Sequence, residues 1–498
     1  MDIAVVILNW NTEGYLRSFL PALLESLPEG AQAVVADNGS TDGSVALMES
    51  EFPQVRRILL DRNYGFTGGY NRAVAELLKG TDAPRYVLLL NSDILVSKGW
   101  LKPLTDWMDS HPECGACGPK LHALDIDADL TADASIPATT SSGNAEAPAK
   151  CKNQQTPGLT QVHEESSDAS TTENKASRSV NYIKTDRFEY AGAAGGFLDR
   201  FGYPYCRGRV LKRTETDCGQ YDEPKDVLWV SGACLLVRSS VWQSLGGLDD
   251  RFFAHMEEID LCWRMQLSGW KVTVVPESTV WHLGGGSLPK DSPWKLQRNY
   301  CNNLLMLENN LAATLYAENF PRTSQSGQKA AADAENADQE SLNAAGAESA
   351  ESRSNDVAMT DSWTENTKKQ WAKCVRRARA LIFFRMLLDG ASAVIYCLQG
   401  HFDFAKAVVS GHKEYRAKRR LPAWSATSQS LYTPDSLQSN LDAKEAECPP
   451  NKVRVREKDE AARTLHPVTG YARLFLLPAA FAKGRGIFKY LTEHQDYK

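Results

Sequence analysis

The chain has no run of about 18 to 20 uninterrupted apolar residues, the length a helix needs to cross a bilayer. Its nearest approach, residues 381–398, is broken by Arg385 and Asp389. No basic segment precedes the first apolar run, which starts at Ile3 and has strand character, so a signal peptide is not expected and a cytoplasmic location is. Neither sign of charge dominates. With 56 Lys and Arg against 62 Asp and Glu, a formal net charge of -6 carries no footprint of a nucleic-acid partner. Zinc-site spacing is absent too: the one close cysteine pair, Cys114 and Cys117, has no second pair of Cys or His, so the eleven cysteines are expected as free buried thiols.

What is present is a globular composition, 42% hydrophobic and 24% charged, over 498 residues, enough for two or three domains or one large domain with insertions. Residues 3–9, 32–37 and 86–90 are short apolar runs ending in polar residues, as strands of a buried parallel sheet do. Helical spacing over 14–27, 42–52 and 67–78 alternates with them, and 57–60 reads as a further strand. Later segments predict a strand over 226–237, helices over 240–245 and 258–267, and a strand over 271–275. The fold class is therefore α/β: an open, mostly parallel sheet flanked by helices, with ligands at the carboxyl ends of the strands.

Composition divides the chain. The expected catalytic domain is 1–122 plus 181–310, split by a low-complexity insertion over 123–180 that has too little apolar surface to fold alone. A disordered linker is expected over 321–364, a basic amphipathic helical region over 365–420, and a loosely ordered tail with a short amphipathic segment over 421–498. Residues 366–420 hold thirteen Lys or Arg against three Asp or Glu, with Phe383, Phe384, Ile395 and Tyr396 interleaved. Such a region suits a helix on an anionic membrane surface, or equally a core-packed helical pair with a solvated basic face.

Five segments carry chemistry. Residues 34–42 form a strand ending in Asp37, where a carboxylate can accept a hydrogen bond from a base N–H while Ser40 or Thr41 caps the next helix; a plain turn with a cap fits the same residues. Residues 62–71 bring Gly65, Gly68 and Gly69 to a helix start, letting backbone approach a ligand. The pattern is not G-x-G-x-x-G and no strand-end acid follows about twenty residues on, which removes a nicotinamide dehydrogenase. Residues 86–93 deliver Asn91, Ser92 and Asp93 to the ligand edge. Asp93 is the metal candidate, because Mg or Mn takes a carboxylate plus pyrophosphate oxygens, although Asn-Ser-Asp is also a common turn and cap.

Residues 251–264 pack Glu257, Glu258 and Asp260 among apolar neighbours at a predicted helix start. Burial there raises a carboxylate toward the range of a general base, while the helix dipole alone also favours acids at that position. Residues 280–287 end a strand-like run in His282 before three glycines, a placement from which imidazole could complete a metal shell.

Taken in order, these segments resemble the family 2 glycosyltransferases of GT-A fold, in particular the bacterial rhamnosyltransferase-like subgroup, over about residues 3–122 and 187–305. The resemblance implies a nucleotide-sugar site formed by Asn9, Asn11, Asp37, Asn38, Asn63, Gly69, Asn71, Asn91, Ser92, Gly232 and Ala233, with Asp37 and Asn63 on the nucleobase and ribose. It implies a divalent cation, Mg or Mn, at Asp93 and His282, and a catalytic base at Glu258, alone or shared with Glu257. Two departures stand out: Asn91 replaces the first acid of the D-x-D metal motif, and Glu replaces the usual Asp at the base. The implied activity is inverting transfer from a nucleotide-diphosphate sugar, dTDP-rhamnose ahead of UDP-hexose or UDP-galactofuranose. The acceptor is a glycan or lipid-linked glycan in cell-surface polysaccharide synthesis, with possible peripheral contact at the inner face of the plasma membrane. The alternative is a GT-A module that binds nucleotide sugars without turnover.

Overall fold

The computed structural model describes residues 2–80, 82–127, 159–160, 181–284, 292–320, 365–419 and 466–471. Most of the expected low-complexity insertion, the linker and most of the C-terminal tail fall outside these; of the insertion inside them, 123–126 and 159–160 are strand.

The first half builds a parallel sheet. β1 (Ile3–Asn9), β2 (Ala31–Asp37), β3 (Arg56–Leu59) and β4 (Tyr86–Asn91) run parallel in the order β3-β2-β1-β4. Helices cover both faces, so alternation along a strand sends side chains into two cores instead of one core and water. Val6, Val34, Ala36 and Leu89 pack on one side with Tyr70 and Val74 of α3 (Gly65–Leu77). Ile7, Val35, Leu88 and Leu90 pack on the other with Leu16 and Leu20 of α1 (Glu13–Ser26). This is why the strands read as continuous apolar runs. α2 (Ser44–Ser50) is shorter than the 42–52 spacing suggests, because Asp42 and Gly43 belong to the turn that leads into it.

Beyond β4 the sheet becomes mixed. A two-residue strand, β5 (Ile94–Leu95), and α4 (Leu101–Ser110) precede β6 (Cys114–Ile126). A short strand β7 (Leu159–Thr160) pairs with β8 (Tyr182–Phe188), which pairs with β6. A separate four-stranded sheet holds β9 (Gly196–Leu198), β10 (Pro204–Cys206), β11 (Arg209–Val210) and β12 (Arg213–Thr214).

The strand expected over 226–237 is instead two, β13 (Lys225–Asp226) and β14 (Cys234–Arg238). Between them the backbone leaves the main sheet: Gly196 N–H donates to Trp229 O and Leu228 N–H donates to Gly196 O, pairing this stretch with the small sheet. β14 lies antiparallel to both β4 and β6. After α5 (Ser239–Leu245) and α6 (Glu257–Leu267), β15 (Lys271–His282) runs parallel to β6 and extends well past the expected end at 275.

Three further helices close the described chain: α7 (Pro293–Asn319), α8 (Glu365–Leu398) and α9 (Phe402–Lys418). They pack on one another, and Trp263 of α6 donates to Thr314 of α7 at 2.8 Å. By length and composition Asn366–Leu398 is long and apolar enough to cross a membrane, the one such helix among the described residues, although Arg385 and Asp389 interrupt it. Both charges are buried against the protein. Arg385 is 4% exposed and bonds Asp389 at 2.8 Å and Phe201 O at 3.1 Å, while Asp389 is fully buried and also meets Tyr203 and His412. Of the cysteines, Cys114 and Cys117 are buried free thiols as expected, but Cys397 is exposed and Cys218, exposed in a turn, is disulfide-bonded.

Candidate active site

Register brings the first group together. Asn9 pairs with Asp37 across β1 and β2, and Leu8 pairs with Asn91 across β1 and β4, so all three polar residues end at one sheet edge. That edge is where open α/β sheets bind ligands. Asn9 is fully buried and donates to Asp37 at 2.7 Å and to Ser40 Oγ at 3.0 Å. Ser40 N–H in turn donates to the other Asp37 oxygen at 2.9 Å. Asn11, at a φ of 55°, uses its side-chain oxygen to accept from the Thr41 and Asp42 amides at 2.7 and 3.3 Å. Asn38 accepts from Tyr64 N–H at 2.9 Å and donates to Asn63 Oδ1 at 3.1 Å, which ties the 38–42 turn to the glycine loop.

The close approaches here require glycine. A Cβ on Gly39 (φ 71°) would lie 2.5 Å from the Arg62 backbone, and one on Gly69 would lie 2.7 Å from Leu8. Asn71 points elsewhere: it exchanges hydrogen bonds with Leu248 and donates to Asp250, all at 2.8 to 2.9 Å, so it pins α3 to the 248–250 turn.

A second group sits where β5 meets β15. Their antiparallel pairing sets Ile94 opposite His282, and Leu283 N–H donates to Asp93 O at 3.1 Å. The side chains follow: His282 Nε2 lies 3.2 Å from Asp93 Oδ1, and His282 Nδ1 lies 3.3 Å from Glu189 Oε2. All three are nearly buried. Burial alone would lower the imidazole, but the Asp93 and Glu189 carboxylates outweigh it and hold His282 up at about 10. Without a cation, an imidazolium balances two carboxylates, and Nε2 would have to give up its proton before it could hold a dication in their place.

The donor set fits Mg or Mn, with one carboxylate oxygen and one imidazole nitrogen converging and a second carboxylate behind the imidazole. No group of three or more His, Cys, Asp or Glu residues forms a complete cage among the described residues, so further ligands would come from a bound diphosphate or water. Ser92 Oγ accepts from Thr12 at 3.1 Å, connecting this group to the first.

The third group is the start of α6. Glu257, Glu258 and Asp260 follow a loop in which Phe253, His255 and Met256 all have positive φ, at 63°, 74° and 74°. Each such residue costs about 1–3 kcal/mol and persists only if its surroundings enforce it. Asn302 of α7 enforces it, donating to the Phe252, Ala254 and His255 carbonyls at 2.7 to 2.8 Å. Gly65 (φ 73°) lets the same loop close on α3, since a Cβ there would lie 2.5 Å from the Phe253 ring. Asn302→Ala is expected to lower stability by about 1–3 kcal/mol, two N–H donors shared among three carbonyls at about 0.5–1.5 kcal/mol each, as measured by urea unfolding.

The three acids do different things. Asp260 is fully buried but fully engaged: Arg264 donates to it at 2.8 Å, as do Asn309 and Asn310 of α7. It anchors α6. Glu257 and Glu258 each keep one buried carboxylate oxygen without a partner. Burial, joined by the charge of Glu258, pushes Glu257 well above the ordinary carboxylate range, and burial raises Glu258 to about 7. A raised carboxylate stabilises the fold below its unfolded value near 4.5, and that contribution is lost as pH rises through about 7. Glu258→Gln should therefore melt higher than the wild type near pH 8, the two converging near pH 5, in thermal scans at both values.

Short backbone links bring the third group to the other two. A Cβ on Gly232 would lie 3.3 Å from the Glu258 Cβ and 3.5 Å from Phe66, and Asn91 N–H donates to Ala233 O at 2.9 Å. The 230–233 turn thus spans from the Glu257–Glu258 pair to the end of β4. Sequence reasoning missed Glu189 and Asn302. Glu189 directly follows β8, a strand whose alternation the polar residues Lys184, Thr185, Asp186 and Arg187 obscure. Asn302 was visible as part of a polar series, Asn302, Asn303, Asn309 and Asn310, two pairs two turns apart on the part of the helix that carries Leu304, Leu305, Met306, Leu307 and Leu311.

Residues 4–133 match the family model described as "Glycosyl transferase family 2". This segment is a family 2 glycosyltransferase domain. The glycosyltransferase chain is 25% identical over 311 residues to an N-acetylglucosaminyl-diphospho-decaprenol L-rhamnosyltransferase of Mycobacterium tuberculosis, covering 61% of this chain and 83% of the relative. Among solved structures it is similar to GalNAc-T7 with UDP, GalNAc and Mn2+, at TM-score 0.40 and 14% identity over 66% of this chain, and it spans 53% of that structure's length. It is also similar to S. aureus TarS 1-349, at TM-score 0.36 and 13% identity, covering 84% of this chain and 93% of that one. The family 2 match begins at Ala4 in β1 and runs past β4, so it includes the Asn9, Asp37, Asn91 and Asp93 positions.

Proposed function

We propose that this glycosyltransferase moves L-rhamnose from dTDP-rhamnose, with inversion, to a lipid-linked glycan acceptor at the inner face of the plasma membrane. The observation that carries the reaction type is that the 230–233 turn links the strand end bearing the Asp93–His282 pair to two glutamates, each with a buried, unpartnered oxygen. The choice of donor and acceptor rests on the likeness to the mycobacterial rhamnosyltransferase.

In this reading the strand ends hold the donor. Asp37 and Asn63 take the nucleobase and ribose, while Asn9, Asn11 and Asn38 hold the turns that shape that pocket. Asp93 and His282 would hold Mg or Mn, which when bound neutralises charge on the departing diphosphate. Glu258 accepts the proton of the acceptor hydroxyl as that oxygen bonds to the anomeric carbon and the bond from that carbon to the diphosphate oxygen breaks. A single displacement inverts the anomeric centre. A base raised to about 7 suits this role, because it is largely unprotonated just above neutrality yet basic enough to take a proton in the transition state. Glu257, held protonated by burial and by its neighbour, keeps a second negative charge out of the site.

The test is a donor screen. Purified protein with Mn is incubated with dTDP-rhamnose, UDP-hexoses and UDP-galactofuranose, with and without a GlcNAc-diphospho-lipid acceptor, and released nucleoside diphosphate is measured. Acceptor-dependent release from dTDP-rhamnose is expected. Release from UDP sugars alone reassigns the donor, and tight donor binding without release from any donor leaves a binding module instead of an enzyme.

A further inference from the structure

α8 is two helices in character. Its inner face carries Cys374, Ala378, Ile382, Arg385 and Asp389 into the protein. Its outer face begins with exposed Lys369, Lys373, Arg376 and Arg377 and then changes abruptly to exposed Phe383, Phe384, Leu387, Val394, Ile395 and Leu398, the last 83% exposed. The spacing 369-373-376-380-383-387-391-394-398 proceeds in steps of three or four, so the basic and apolar halves lie along one stripe. Across the turn into α9 the apolar surface continues through Phe402 and Val409, with exposed Lys406 between them.

We infer that this stripe docks on an anionic lipid bilayer, the apolar half entering the acyl boundary and the basic half meeting phosphate headgroups. Charge selects this occupant. Asp389 is the sole acid over residues 366–398 and is fully buried, so the α8 part of the stripe offers cations and hydrocarbon with no exposed carboxylate; Asp403, at the start of α9, is the one exposed acid beside the apolar continuation. A second copy would have to place its own cations against these cations or against the apolar half, with no acid on the α8 stripe to pair them and only Asp403 at its far end. A bilayer supplies both anionic headgroups and hydrocarbon in adjacent layers.

The pose follows from length. Residues 383–398 span about 22 Å at about 1.5 Å per residue, more than the about 5–10 Å depth of interfacial insertion, so the stripe lies along the surface. Spanning is opposed by Arg385 and Asp389, whose partners are Phe201 O, Tyr203 and His412 on the protein itself. At the other end of the hairpin, Lys418 of α9 donates to Arg251 O at 2.8 Å, on the segment leading to Glu257 and Glu258. The docked hairpin therefore reaches the catalytic loop. The use of such docking, delivering a lipid-linked acceptor, rests on the function proposed above; the surface itself does not.

The test uses the full chain and sedimentation with vesicles, either equal parts phosphatidylglycerol and phosphatidylcholine or phosphatidylcholine alone. Binding to the anionic vesicles at about 0.1 M salt is expected, at least about tenfold weaker to the neutral ones and at about 0.5 M salt. The double variant Leu387→Asp/Ile395→Asp, at sites about half exposed, should lower anionic-vesicle binding at least about tenfold, and Lys373→Glu/Arg376→Glu/Arg377→Glu should abolish the preference for anionic lipid. Unaltered melting temperatures establish that both variants fold. Equal vesicle binding by wild type and the double variant overturns the inference, since another segment then binds. Absence of wild-type binding also overturns it, whether the chain is a monomer or a dimer that the double variant dissociates. Donor turnover without vesicles is read separately as released nucleoside diphosphate, so its absence alongside intact vesicle binding counts against the proposed reaction and leaves the docking surface standing.

Discussion

Replacing Glu258 by Gln should lower sugar transfer by about 10²–10⁴-fold, the range that a positioned general base contributes, while donor affinity measured by calorimetry stays within about a few-fold. The amide keeps the shape of the side chain and its packing beside Gly232 but cannot take a proton. The buried oxygen that lacks a partner in Glu258 is the one available to an incoming hydroxyl. Glu257 is the internal control. Its proton is held more tightly by burial and by the neighbouring charge, so Glu257→Gln should cost less. A larger loss in Glu257→Gln than in Glu258→Gln would move the base to Glu257, and transfer at a wild-type rate in both would end the assignment of a base to this helix start.

Asp93→Ala should remove the dependence of donor binding on Mg or Mn. With Asn91 in place of the usual first acid, Asp93 is the one carboxylate of the tripeptide, and His282 at 3.2 Å is its nitrogen counterpart. Loss of a residue behind a ligand already costs about 10–100-fold in metal affinity, so loss of the carboxylate itself should cost more than about 100-fold. Titrating Mn against donor affinity in wild type and variant reads this directly: a strong dependence in the first and a flat line in the second. The same Mn titration curve in both proteins would remove Asp93 from the metal site.

The parts of this site that were legible beforehand share a cause. β1, β2 and β4 are buried on both faces, so each reads as an unbroken apolar run, and the residue that ends the run marks the ligand edge. Asn9, Asp37 and Asn91 were found that way. β6 was not, because Gly115, Gly118 and Pro119 within it read as turn residues; they are accommodated there because Trp270 and Val230 pack where side chains would otherwise stand. The 227–233 stretch misled in the opposite direction. Its apolar character is real, but its middle, Leu228 and Trp229, bonds Gly196 in the second sheet, and only its ends, Val227 and Ala233, bond the main sheet.

The Asn-Ser-Asp tripeptide shows the division most clearly. Local sequence determined that a buried strand ends there with a single carboxylate, because strand periodicity and the polar stop are properties of neighbouring residues. Whether that carboxylate is a cap or part of a metal site was decided by the contacts of His282 with Asp93 and Glu189, within 3.3 Å, which the pairing of β5 with β15 and of Glu189 with β6 creates. The same holds for the basic helical region. Its charge was plain in the sequence, but which residues face water was set by the packing of α8 on α7 and α9, which buries Arg385 and Asp389 and leaves Phe383 and Leu398 outside.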